Sequence, residues 1–269
     1  MSTANSTGPV LWNVDARGVA SVVLNRPEVN NAYNDELIQG LLAAIDALGQ
    51  AKGLRAIVIT GNGKHFQAGA DLKWIDAVRT SSAQENIRVS RATAEAVHRF
   101  NHAPVPTVAL VQGACFGGGT GLVAACDVVI AADNANFSIA EVRWGLTAAI
   151  IIPQLSDAIG IRQMRRYALT GERFDAHEAC RIGLVHEVVP QGELAAAGER
   201  MVSHILENGP EAIAQTKALT LESAFGDLDA MALTDLIEHH SGKRQSAEAA
   251  EGLKSFAEKR PAKWSPKKS

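Results

Sequence analysis

The sequence predicts an α/β fold closed by an all-helical end, and three observations carry that class. Short β runs alternate with helical stretches through the first two thirds of the chain. The runs at 56–60 and 107–111 are apolar without alternation, as expected for strands covered on both faces. Beyond Gly192 the β pattern stops, and only helical periodicity continues to a basic tail.

Taken in order, Val10–Val14 and Val19–Leu24 read as paired strands, with Arg26-Pro27 ending the second. Asn34 can cap the next helix, in which Leu37, Leu41, Ile45 and Leu48 recur at helical spacing. Ala56–Thr60 is the next strand, and a long helix runs from Ala83 to Phe100. Pro104 and Pro106 separate it from the strand Thr107–Val111, a glycine-rich turn Gly113–Gly121, a helix and the strand Asp127–Ala132. Asp175 can cap a helix that stops at Gly183, and Leu184–Val189 reads as a strand closed by Pro190. Glu193–Glu207, Pro210–Leu221 and Leu228–Glu258 read as helices, which puts a boundary near Asn208-Gly209: a core at 1–208 and a helical region at 209–269. The stripe Leu228, Met231, Leu236, Ile237 is expected to pack on the chain's own core rather than on another subunit.

Composition narrows the function. The chain has 269 residues, 46% of them hydrophobic, enough to bury a full core. With 26 Lys plus Arg against 29 Asp plus Glu, the formal charge of −3 gives no general attraction to nucleic acid or an anionic membrane. Three cysteines, Cys115, Cys126 and Cys180, have no CxxC spacing, so a disulfide framework and a zinc knuckle are both unsupported and a reducing, cytoplasmic setting is expected. Met1 to Pro9 has no apolar h-region and reads as a frayed tail. No stretch reaches transmembrane length. His239 and His240 are adjacent on a helix and face different directions, so no metal site is expected there.

Two loops and one short segment hold the candidate chemistry. The first loop, Gly61 to Lys73, contains Gly-Lys but has His65 where a P-loop needs Ser or Thr. What remains is Ala68-Gly69-Ala70 opening a helix at Asp71, where the NH of Ala70 is available to an oxyanion. The second loop, Gly113-Ala-Cys-Phe-Gly-Gly-Gly-Thr-Gly121, does not satisfy GxGxxG, so a dinucleotide site is not expected. Its glycines allow close approach to the backbone, and the NH of Gly118 or Gly119 would be a second donor. Each loop alone is an ordinary connector. The third element is Glu141, set among Phe137, Ile139, Val142, Trp144 and Leu146; enclosed by them, its charged form would be penalised and it would exchange protons near neutral pH. The competing reading is a surface glutamate paired with Arg143 or Arg162. There is no GxSxG elbow and no HExxH.

At these elements the sequence resembles the crotonase superfamily of enoyl-CoA hydratases and isomerases. Asn25-Arg-Pro with Asn31-Ala32 looks like its NRP…NA segment, and Phe66-Gln-Ala-Gly-Ala-Asp-Leu-Lys73 like its FxAGADLK loop. Gly113-Ala-Cys-Phe-Gly-Gly-Gly119 is similar to the second oxyanion loop. Leu169-Thr-Gly-Glu-Arg-Phe174 with Gly183-Leu-Val185, and the 247–260 segment with its EGxxxFxEKR pattern, are similar to later family signatures. In this order the motifs are highly specific.

The resemblance implies a ClpP-like crotonase spiral of ββα turns, with a C-terminal helical region that assembles trimers or dimers of trimers. It implies an oxyanion hole at Ala70 and Gly118 and Glu141 as the acid/base. Coenzyme A would run along Ala32, Ala68, Asp71, Leu72 and Lys73, with Phe256 and Lys259 helping to hold it, and as part of the substrate rather than as a cofactor. Family hydratases carry an earlier glutamate where this chain has Gly121, so a two-carboxylate mechanism does not transfer. Gly121, Arg143 and Trp144 are candidate substrate contacts, Arg143 as a substitute for positioning water. The wording GGGTGLVAACD, EVRWGL and RRYALTGERF is closest to hydratases of branched glutaconyl-CoA thioesters from leucine and terpene breakdown, which makes hydration of a 2-enoyl-CoA the leading expectation. The alternatives are a single-glutamate 3,2-enoyl-CoA isomerase and a non-catalytic acyl-CoA-binding protein.

Overall fold

The computed structural model describes residues 4–224, 230–244 and 246–265. Two strands, β1 (Val10–Val14) and β2 (Val19–Leu24), form an antiparallel hairpin in which Val10 faces Leu24. The N-terminal segment is ordered from Asn5 onward, contrary to the expected frayed tail. Asn5 bridges Trp12, and its side chain donates to the carbonyl oxygens of Thr7 and Val10.

Helix α1 (Asp35–Gly49) follows, capped by the Asn34 side chain accepting from the Leu37 amide at 3.0 Å. Its stripe Leu37, Ile38, Leu41, Ala44 and Leu48 is buried, as amphipathic spacing requires. Then come β3 (Ala56–Gly61), α2 (Leu72–Arg79), α3 (Ala83–Asn101), β4 (Thr107–Val111), β5 (Ala114–Phe116), α4 (Gly118–Ala124), β6 (Val128–Ala132) and β7 (Asn136–Ser138). A 3-10 turn at Glu141–Trp144 and another at Ala149–Ile151 lead into α5 (Ile152–Thr170), which is broken at Gly160 (φ 72°). The chain continues through β8 (Arg173–Asp175), α6 (Ala176–Arg181), β9 (Glu187–Val189), α7 (Leu194–Leu206), α8 (Pro210–Ser223), α9 (Ala230–Arg244) and α10 (Ala247–Ala257).

The large sheet has the order β1-β2-β3-β4-β6-β9, parallel after the first hairpin, and a small sheet has the order β5-β7-β8. Every residue of β4 is buried, which accounts for its unbroken apolar run. Successive turns send one strand to each sheet and then a helix outward: β4-β5-α4, then β6-β7 and α5. In the earlier turns the second strand shrinks to one-residue parallel bridges, Tyr33 with Ala70 and Gln67 with Cys115. These bridges stack the loops of consecutive turns on one another.

Two C-terminal expectations need correction. The stretch 228–258 is two helices, because Ser246 caps α10 by accepting from the Ala249 amide. The apolar stripe of α9 is largely uncovered by the chain's own core: Met231 is 72% and Ile237 58% exposed, and Leu236 is half-buried. Leu228 and the side chains of His239 and His240 lie outside the described residues. Helix α8 is anchored to the core, since the buried Lys217 ammonium donates to Asp127 (2.8 Å) and to the Val105 carbonyl (3.1 Å). No described helix is long and apolar enough to cross a membrane.

Candidate active site

The segment between β2 and α1 organises the site. Asn31, buried and at φ 55°, accepts from the Arg26 amide and donates to the carbonyls of Asn62 and His65. Arg26 in turn donates to the Ala32 carbonyl and pairs with Asp71 at 3.3 Å. The Asn-Arg-Pro and Asn-Ala residues thus clamp the 62–71 loop onto the preceding turn of the spiral.

Within that loop the Tyr33 amide donates to Gly69 O (2.9 Å), and the Asp71 amide donates to Tyr33 O (2.9 Å). In such a parallel bridge the residue between the two bonded groups turns its own N–H to the opposite side. The Ala70 amide has no acceptor among the described residues. Its freedom comes from the bridge and not from a helix start, because Asp71 is the cap of α2, its side chain accepting from the Lys73 and Trp74 amides. Ala68 is tied down differently, donating to Asn30 O.

The second loop is bent by Gly117 (φ 52°, ψ −120°), a conformation that favours glycine. The Gly117 amide donates to Ser138 O, and its carbonyl accepts from the Thr120 amide. The Gly118 amide has no acceptor among the described residues. Gly118 lies against the Tyr33 ring, so closely that a Cβ there would meet Tyr33 Cε1 at 2.8 Å. Tyr33 therefore adjoins both free amides, through its backbone on the Ala70 side and its ring on the Gly118 side.

Glu141 completes the cluster. A Cβ on Gly117 would lie 3.0 Å from Glu141 Oε1, and Oε2 is buried without a hydrogen-bond partner. Burial pushes this carboxyl above the usual glutamate range. Glu141 forms no ion pair among the described residues, so the pairing with Arg143 or Arg162 is not seen. Of its apolar sequence neighbours Phe137 and Ile139 are buried, whereas Val142 is 41%, Trp144 69% and Leu146 45% exposed. The Gly117 turn packs against the carboxylate from a remote part of the chain.

Glu141, Gly118 and Tyr33 line a cleft of about 740 Å³. The rest of its lining is mostly apolar, with Leu41, Ile75, Val78, Val97 and Ile151 among others. Gly121 does not reach the cleft. A Cβ there would sit 2.1 Å from Ile151 Cγ2, so the isoleucine occupies the space beside it. Arg143 packs against Gly171, and neither it nor Trp144 lines the cleft. Leu72, Lys73, Phe256 and Lys259 are exposed and outside the lining, while Ala32 is buried beside Arg26. The structure adds two cleft residues that the sequence reading passed over, Tyr33 and Gln67. Tyr33 directly follows the Asn31-Ala32 pair and Gln67 lies within the 66–73 loop, but the bridges that bring them to the cleft join residues remote in sequence.

The profile of the enoyl-CoA hydratase/isomerase family matches residues 15–267. The chain belongs to the enoyl-CoA hydratase/isomerase family. It is an enzyme of that family, with the crotonase fold. A solved enoyl-CoA hydratase from Shewanella pealeana is 33% identical, covering 95% of this chain and 96% of its own, with a TM-score of 0.91. The structure of AtuE from Pseudomonas aeruginosa is 36% identical, covering 96% of this chain and 100% of that one, with a TM-score of 0.91. A Delta(3,5)-Delta(2,4)-dienoyl-CoA isomerase from Dictyostelium discoideum is 30% identical over 256 residues, 91% of this chain and 87% of the relative. Relatives of this family thus include both hydratases and isomerases, and membership leaves no place for the non-catalytic alternative.

Proposed function

We propose that the chain hydrates a 2-enoyl-CoA thioester, of the branched glutaconyl-CoA class, with the Ala70 and Gly118 amides as oxyanion hole and Glu141 as the acid/base. The observation that carries this reading is the unpaired, buried Oε2 of Glu141 in a cleft also lined by Gly118 and Tyr33, with the Gly118 amide, and that of Ala70 bridged to Tyr33, without an acceptor among the described residues. Amides fixed in place strengthen their bonds as the thioester oxygen gains charge, and one such donor is worth about 3 kcal/mol of barrier. Water adds at C3 as Glu141 takes its proton; the enolate forms between the amides, and Glu141 returns the proton to C2. The apolar part of the lining takes the branched acyl chain. Arg79 at the cleft wall, paired among the described residues with the exposed Asp76, is available to a distal carboxylate.

Coenzyme A is proposed to lie along Ala32, Ala68 and Asp71–Lys73, with Phe256 and Lys259 reaching it from α10 of this or a neighbouring subunit. The exposed α9 stripe supports a trimer, testable by the mass of the protein in solution.

Isomerisation is the second reading, favoured by one observation: Ile151 fills the space beside Gly121, so a single carboxylate faces the substrate. The test is purified protein against a panel of thioesters, including 3-methylglutaconyl-CoA, crotonyl-CoA and a 3-enoyl-CoA. Loss of enoyl absorbance with a 2-enoyl substrate is expected. No change with any 2-enoyl substrate, together with conjugation of the 3-enoyl-CoA, replaces hydration by isomerisation.

A further inference from the structure

Hydration needs a water held in line with C3, and a lone carboxylate fixes only one of its hydrogens. With Ile151 occupying the space beside Gly121, a second group must come from elsewhere in the cleft. Among the polar side chains near Glu141, Gln67 already uses its carbonyl to accept from the Gly69 amide at 3.3 Å. Tyr33 is different. Its hydroxyl has no hydrogen-bond partner among the described residues, and Tyr33 lines the same cleft as Glu141.

The ring is held on several sides. Gly118 lies beneath it, Trp74 meets it edge-on with centroids 5.5 Å apart, and its backbone is bridged to Ala70. Glu141 touches Gly117 and Tyr33 touches Gly118, so carboxylate and phenol sit over consecutive residues, whose Cα atoms are about 3.8 Å apart. We propose that the Tyr33 hydroxyl is the second polar contact of the reacting water, accepting the hydrogen that Glu141 does not take. As the water oxygen bonds to C3, one O–H bond breaks toward Glu141 and the C2=C3 electron pair moves into the enolate. The other O–H bond stays intact against Tyr33 and becomes the product hydroxyl. Burial, and then the neighbouring Glu141 charge, push the phenol up to about 12, which keeps Tyr33 protonated and makes it a holder of water and not a base.

This role rests on the hydratase reading, and two measurements separate them. The first is hydration of the best 2-enoyl-CoA by wild type and Tyr33→Phe. The second is exchange of the C2 hydrogen of a saturated acyl-CoA for deuterium in D2O, which uses Glu141 and the amides but no added water. Phe keeps the packing on Gly118 and Trp74. Hydration by Tyr33→Phe is expected to fall about 100-fold in kcat, the scale of a misplaced reactant, while C2 exchange is retained within about twofold. Unchanged hydration overturns the role of Tyr33 and leaves the hydratase reading standing. An equal loss in both reactions overturns it too, making the hydroxyl a support of Glu141. A wild type that exchanges C2 but hydrates nothing removes the hydratase reading and this role with it.

Discussion

Replacing Gly121 by alanine puts a methyl group where the structure already holds Ile151. The new Cβ would be 2.1 Å from Ile151 Cγ2 and 2.6 Å from Ile151 Cβ, whereas carbon atoms rest at about 3.5–4.0 Å. Because Ile151 Cβ itself is too close, no rotamer change relieves the overlap, and the backbone of the 149–151 turn must move. Overpacking of this kind costs about 3 kcal/mol at its upper end. For a chain of this size that corresponds to a fall in Tm of roughly 6–12 °C. Ile151→Ala alone, at a side chain 2% exposed, is expected to cost about 2–5 kcal/mol by leaving a cavity. The double variant has the methyl of Gly121→Ala partly filling that cavity, so it is expected to be more stable than additivity allows by about 1–2 kcal/mol. Thermal unfolding of the four proteins at one fixed concentration gives the coupling. Additive losses, or a neutral Gly121→Ala, would refute the claim that Ile151 fills this position.

Three further substitutions test other parts of the structure. Glu141→Gln is expected to lower kcat/KM for hydration by roughly 10²–10⁴-fold, read in the absorbance assay, and wild-type activity is expected to rise with pH through a group above the usual glutamate range. The same carboxyl is easier to protonate folded than unfolded, so wild type loses stability as pH rises from the ordinary glutamate value through the raised folded one. Glu141→Gln should therefore be more stable than wild type at neutral pH and lose that advantage in acid, and a constant difference across the pH series would contradict it. Lys217→Met leaves the Asp127 carboxylate and the Val105 carbonyl without their ammonium partner, and a loss of about 3 kcal/mol is expected in chemical denaturation. Asn34→Ala removes the cap of α1 and should cost about 1 kcal/mol, with no effect expected if the Leu37 amide had another partner.

Much of the spiral was legible because its long elements carry strong local signals. The hairpin, the Asn34 cap, the buried stripe of α1 and the apolar runs of β3, β4 and β6 all fell where periodicity put them. The small sheet was not, since β5, β7 and β8 are three residues each, too short for any period to show. Helix α5 went unread because Gly160 interrupts it and its apolar residues make no clean stripe. The predicted strand 184–189 shrinks to Glu187–Val189, because the Leu184 and Val185 amides close back on Ala179 O. At the site, both glycine loops and Glu141 were visible as motifs, but what encloses the carboxyl was not. Gly117, remote in sequence, packs against it, and of the apolar neighbours that suggest enclosure Phe137 and Ile139 are buried while Val142, Trp144 and Leu146 are exposed. Tyr33 was hidden for a similar reason: its meaning depends on a bridge to Ala70 that only the winding of the chain creates.

The cleft is made of two kinds of material. Beside Glu141 run main-chain bridges between consecutive turns, which a side-chain replacement does not sever. Most of the remaining lining is side chains on α1, α2, α3 and the 146–151 segment. Appetite for one ligand shape or another can thus drift by ordinary point mutation while the backbone that carries the Ala70 and Gly118 amides stays untouched.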